Sequence, residues 1–94
     1  MMYEPAHPGA LVAEELGTLD ISVSKAASDL GVSRQILSAI VNCRRPITAE
    51  MAVRIGKYIG NGPGLWLRMQ ANHDLWNAEQ RMKSEVKKIR PAAA

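Results

Sequence analysis

The chain has no phenylalanine, and aromatic residues fill only 4% of its 94 positions, so aliphatic side chains must build its core. Cysteine occurs once, at Cys43, which excludes an internal disulfide framework. No apolar run approaches the ~18–20 residues needed to span a bilayer. Met1–Pro8 holds Glu4 and neither Lys nor Arg, unlike a secretory leader. No segment alternates as a strand does, and low complexity is confined to the Pro91-Ala-Ala-Ala tail. His7, His73 and Cys43 are too scattered for a zinc site, whose ligands come in close-spaced pairs. His73 and Asp74, adjacent in sequence, are expected on different helix faces and so make a poor acid–base pair. No catalytic residue, metal or cofactor is expected. These exclusions leave a cytoplasmic, all-α binding protein with one domain over residues 1–94, small enough to bury only ~60–65% of its unfolded surface.

Charge is present but sorted. The net charge is +3, from 12 basic and 9 acidic residues. Residues 1–20 carry Glu4, Glu14, Glu15 and Asp20 with no basic residue, a local −4. Residues 34–57 carry Arg34, Arg44, Arg45, Arg54 and Lys57 against Glu50, a local +4. Residues 81–90 carry Arg81, Lys83, Lys87, Lys88 and Arg90 against Glu85, again +4. Such blocks suit charged partners as well as solvated surface.

Turn signals at Gly17-Thr18, Gly31-Val32-Ser33, Arg45-Pro46 and Gly60–Gly64 predict five helices. The first runs from about Pro8 to Leu16, with Leu11, Val12 and Leu16 inward. The second starts at Ser22 as N-cap and stops at Gly31. Its inner face, Ala26, Ala27 and Leu30, is small enough for another helix to come close. The third starts at Ser33 and ends near Asn42, with Leu37, Ile40 and Val41 at helical spacing. Thr48 caps the fourth, which runs to Ile59 with Met51, Ala52, Ile55 and Ile59 inward. Pro63 opens the fifth, predicted to run on to Arg90, ~40 Å at ~1.5 Å per residue. Along it Leu75, Ala78, Met82, Val86 and Ile89 are spaced 3, 4, 4 and 3, one continuous stripe. The far half of that stripe either folds back on its own domain or packs on another chain. Trp66 and Trp76 are expected to pack rather than to stack on bases.

Residues 22–42 have the layout of a helix-turn-helix: a short helix with small residues, a tight turn, then a helix that is polar in its first turn and apolar later. Such a second helix enters the DNA major groove with its N-terminal residues against base edges. Arg34, Gln35 and Ser38 share that face. Arg can donate two bonds to guanine, and Gln can pair bidentately with adenine. Arg44 and Arg45 follow in a loop suited to phosphates. Ser22, Ser24 and Lys25 at the start of the second helix, and Ser33 at the start of the third, offer further backbone contacts.

The run Ser22-Val-Ser-Lys-Ala-Ala-Ser-Asp-Leu-Gly-Val-Ser-Arg-Gln resembles the phage-repressor-like (XRE, Cro/C1-type) helix-turn-helix. His7-Pro8-Gly9, Arg45-Pro-Ile-Thr-Ala and Trp66-Leu-Arg-Met-Gln-Ala-Asn-His-Asp-Leu-Trp76 are similar to the HigA antitoxin branch, and the likeness covers roughly His7 to Ile89. The resemblance implies a five-helix lambda-repressor-like fold with a long C-terminal helix. It also implies a homodimer that binds double-stranded operator DNA, represses its own operon and neutralises a HigB-type ribonuclease toxin. The alternative is a repressor of the same fold with no toxin partner. The sequence departs from the family pattern at Cys43, where Gly is usual, and at Val23, where a DNA-contacting Gln is common. A ribonuclease toxin should be basic, so Glu4, Glu14, Glu15 and Asp20 are its expected docking side. Leu75, Ala78, Met82, Val86 and Ile89 are one candidate dimer contact, and the cores of the fourth and fifth helices are the other.

Overall fold

The computed structural model describes residues 4–93; Met1–Tyr3 and Ala94, the ends of the expected 1–94 domain, lie outside the described residues. Six helices follow one another: α1 Pro8–Thr18, α2 Val23–Leu30, α3 Arg34–Val41, α4 Ala49–Ile59, α5 Pro63–Arg81 and α6 Lys83–Val86. No strand occurs among the described residues.

The helix starts are made by the residues whose chemistry predicts them. The Ser22, Ser33 and Thr48 hydroxyls accept hydrogen bonds from the backbone N–H of Lys25, Ile36 and Met51, at 3.1, 3.1 and 3.2 Å. Each satisfies an amide that has no partner inside its helix. Pro8 and Pro63 occupy first-turn positions, where a missing N–H costs nothing. Gly31 closes α2 in the left-handed region at φ 74, which a side chain would strain. The first helix runs two residues beyond Leu16, because Gly17 and Thr18 stay helical.

One aliphatic core joins the first five helices. Val12 and Leu16 of α1, Ala26, Ala27 and Leu30 of α2, Leu37 and Ile40 of α3, Met51 and Ile55 of α4, and Trp66 of α5 are buried together. Trp66 is fully enclosed, with its indole N–H donated to Asn61 Oδ1 at 2.9 Å. Each buried Leu or Ile contributes ~1.5–3 kcal/mol of transfer free energy, so α3 is held to the core mainly by Leu37 and Ile40. Gly9 lets α1 reach α3: a Cβ there would collide with the Ile40 carbonyl.

The C-terminal helix is shorter than its sequence pattern predicts. At Met82, with φ −100 and ψ 12, the chain leaves α-helical geometry, and only the four-residue α6 follows. No residue from Arg81 to Ala93 is even half-buried. A short helical segment without tertiary packing is marginal in water, so nothing holds the helix straight there. The stripe does not fold back on its own domain. Leu75, Met82, Val86 and Ile89 are 60, 42, 56 and 65% exposed, and only Ala78 is half-buried. The molecule is therefore elongated, 52 × 24 × 23 Å, with a radius of gyration of 16.2 Å.

Candidate nucleic-acid interface

Burial of Leu37 and Ile40 turns the opposite face of α3 to solvent. Arg34 and Gln35 are exposed in its first turn, and Ser38 stands half-buried one turn on. The Ser38 hydroxyl and carbonyl both accept from the Asn42 amide, at 3.4 and 2.8 Å, which leaves the serine proton free to donate outward. Ser22 and Ser33 use a hydroxyl lone pair as helix caps, but each keeps its own proton as a donor. Ser24 is exposed. The Lys25 ammonium lies 3.0 Å from Asp29, in an exposed i,i+4 pair that exchanges readily with solvent or phosphate.

The loop after α3 is fixed by two features. Cys43 sits at φ +60, the left-handed conformation that glycine would take without strain and that a side chain rarely adopts. Ile47 is buried, and its N–H is received by Gln70 Oε1 of α5 at 2.8 Å. Gln70 in turn donates to Asp74 Oδ1 at 2.9 Å. Arg44 and Arg45 are exposed between these anchors, and Arg45 and Ser33 line one groove between the turn and the loop.

Arg54 lines the same groove with a different role from that of the other cations. Its guanidinium donates to the Leu30 carbonyl at 2.7 Å and to Glu50 at 3.2 Å. It thus holds the C-terminus of α2, just before the turn that aims α3. Tyr58 of α4 braces α2 as well, donating its hydroxyl to Asp29 Oδ2 at 2.5 Å. That bond, with Lys25, holds the Asp29 carboxyl below its usual range, and the carboxylate raises the Tyr58 hydroxyl. Neither Arg54 nor Tyr58 stands out in sequence, since their partners lie 24 and 29 residues away.

A second charged surface, on and beside α1, is acidic and unpaired among the described residues. Glu4, Glu14 and Asp20 are exposed, Glu15 is half-buried, and no ion pair among the described residues involves them. His7 caps α1, its Nδ1 accepting from the Gly9 N–H at 2.9 Å, and its ring meets that of His73 edge-on, 4.9 Å between centroids. Burial, then the neighbouring His73, push the His7 imidazole below its ordinary value, against a smaller opposite pull from Asp74. Contrary to the expectation from adjacency, His73 and Asp74 side chains do meet, at 3.3 Å. Among the described residues no group of three or more His, Cys, Asp or Glu is placed to hold a metal ion, and no helix is long and apolar enough to cross a membrane.

Two short helices joined by a left-handed glycine turn, the first braced by α4 and the second offering a polar first turn, define a helix-turn-helix protein. No protein-family model matches the chain. It is 38% identical over 87 residues to virulence-associated protein A' of Dichelobacter nodosus, covering 92% of this chain and 76% of that one. It is 36% identical to an addiction module antidote protein of the HigA family from Coxiella burnetii, with a TM-score of 0.88 over 95% of this chain and 99% of that one. The antitoxin HigA of Pseudomonas aeruginosa, solved with the higBA promoter, is 30% identical with a TM-score of 0.89, over 96 and 99% of the two chains. The chain belongs to the HigA antitoxin family of helix-turn-helix proteins.

Proposed function

We propose that this chain is an operator-binding antitoxin that represses its own operon as a homodimer and neutralises a HigB-type ribonuclease toxin. The observation that carries the reading is the solvent-facing first turn of α3, with Arg34 and Gln35 exposed beside the Arg44–Arg45 loop, on a fold whose neighbour from Pseudomonas aeruginosa was solved with its promoter. Arg34, Gln35 and Ser38 are the base-reading residues. Ser22, Ser24, Lys25, Ser33, Arg44 and Arg45 position the DNA backbone. The protein works by binding, without catalytic chemistry of its own. Two copies would set their α3 helices ~34–36 Å apart on a palindromic site. A basic toxin is drawn to the acidic side at Glu4, Glu14, Glu15 and Asp20.

Footprinting on the DNA upstream of the gene tests the repressor half: a palindromic protected site supports it, and protection indistinguishable from that on random DNA refutes it. Co-expression with the neighbouring reading frame tests the toxin half. Recovery of a complex whose association slows in a Glu14→Lys, Glu15→Lys variant at low salt supports it. A repressor that footprints and recovers no toxin is the stand-alone regulator.

A further inference from the structure

A cleft of about 390 Å³ straddles the break at Met82. Its lining comes from Trp76, Glu79 and Gln80 of α5 and from Lys83, Val86 and the cap residue Lys87 of α6. That volume lies within the ~300–1,000 Å³ of small-molecule sites. None of these six residues serves the operator-binding face.

Two features of this lining go unanswered within the chain. Trp76 Nε1 is the one buried side-chain nitrogen or oxygen among the described residues with no hydrogen-bond partner. A buried donor left alone is unfavourable, and native structures satisfy nearly all of them. Trp66 shows the usual outcome, its N–H donated to Asn61. The second feature is charge. Lys83 and Lys87 are four apart and share a face. Neither has an ion-pair partner among the described residues, and Glu85 is taken by Lys88 at 3.6 Å. Glu79 lines the cleft and pairs with neither lysine. Two cations thus face one carboxylate, and a single further anion balances them. Beside them the half-buried Trp76 and Val86, 56% exposed, offer apolar surface.

We propose that this cleft binds a medium-chain carboxylic acid as its anion. The carboxylate lies between Lys83 and Lys87 and accepts the Trp76 indole N–H, and the hydrocarbon chain lies along the Trp76 ring and Val86. Gln80, Lys83 and Lys87 are unbranched and swing aside to admit it. Each part of the ligand answers one part of the cleft. A neutral lipid leaves both lysines unbalanced, and a small inorganic anion leaves Trp76 and Val86 wet. Nucleic acid satisfies the lysines but brings a run of phosphates past Glu79, where the cleft takes one charge. Once bound, the acid ties α6 to α5 across a break beyond which every described residue is exposed. The site stands apart from operator binding and toxin neutralisation, so its failure leaves that reading intact.

The test is a titration of the intact chain with octanoate, followed at the two tryptophan indole N–H resonances by proton–nitrogen NMR. Trp76→Phe, which removes one of them, assigns both. The Trp76 resonance is expected to move downfield and saturate, while that of Trp66, already bonded to Asn61, stays in place. Octanol, the same chain without the charge, should bind about tenfold more weakly, as should octanoate to a Lys83→Gln, Lys87→Gln variant. Both lysines are exposed, so that variant should fold, and the rest of its spectrum checks that it does. A Trp76 resonance that does not move in the wild-type chain overturns the proposal, as a cleft covered by a second copy would give. Octanol or octylamine binding as well as octanoate overturns it too, because the lysines then play no part. A single-stranded oligonucleotide that moves Trp76 at lower concentration than octanoate overturns it in favour of nucleic acid.

Discussion

Replacing Gln70 with Met should loosen the DNA-facing loop from a distance. Gln70 lies in α5, 6% exposed, and its Oε1 is the acceptor for the buried Ile47 N–H at 2.8 Å. Met keeps the length and most of the volume of the side chain, so little cavity term arises. The donor to Asp74 also goes, but that carboxylate is exposed and water replaces it; what is lost without replacement is the acceptor, and an orphaned buried amide costs about 1–3 kcal/mol. Taking about 2 kcal/mol, and about 4–8 °C per kcal/mol for a domain of this size, Tm should fall by about 8–16 °C at fixed protein concentration. Arg44 and Arg45 immediately precede Pro46 and Ile47, so operator affinity should fall as well. Thermal unfolding followed by circular dichroism, alongside fluorescence anisotropy on operator DNA, reads both effects. A Gln70→Met protein within about 0.5 kcal/mol of wild type would refute the reasoning, because surface substitutions alone stay within that range.

Other substitutions probe separate parts of the account. Cys43→Gly should stabilise by about 1 kcal/mol, because φ +60 costs a side chain strain that Gly avoids, whereas Cys43→Ala should not stabilise; denaturant midpoints distinguish them. His7 must be neutral at Nδ1 to cap α1, and its folded pKa lies below the unfolded value, so its contribution is full above about pH 6.5 and is lost as pH falls through the folded value. His7→Asn, which caps without titrating, should flatten that acid loss, and a melting profile against pH that keeps the same slope would contradict it. Arg44→Ala with Arg45→Ala should weaken binding to all DNA and lower the slope of log affinity against log salt by about one unit per contact; an unchanged slope removes them from the backbone interface.

Most of the fold is written in local chemistry. Ser22, Ser33, Thr48, Pro8, Pro63 and Gly31 act within three residues of themselves, which is why the starts of α2, α3, α4 and α5 and the end of α2 are legible without a structure. The break at Met82 is not, because neither Gly nor Pro marks it and the apolar spacing runs straight through; it arises from missing tertiary contacts. His7 escapes notice because His is an unusual cap, and its partner is the glycine two residues on. Arg54 and Gln70 are ordinary polar residues in sequence, and their roles depend on carbonyl and amide groups more than 20 residues away. The exposed side chains of α3 are legible because a helix-turn-helix fixes which residues of its second helix face outward.

The central claim is that α3 reads sequence. Affinities of wild type and Gln35→Ala should therefore be measured on operator and random DNA at one salt concentration. Gln35 is exposed in the first turn of α3, and its side chain makes no hydrogen bond among the described residues. The account predicts a loss of about 1–3 kcal/mol on the operator and little change on random DNA. Equal losses on both, or none on either, would contradict base reading by this helix.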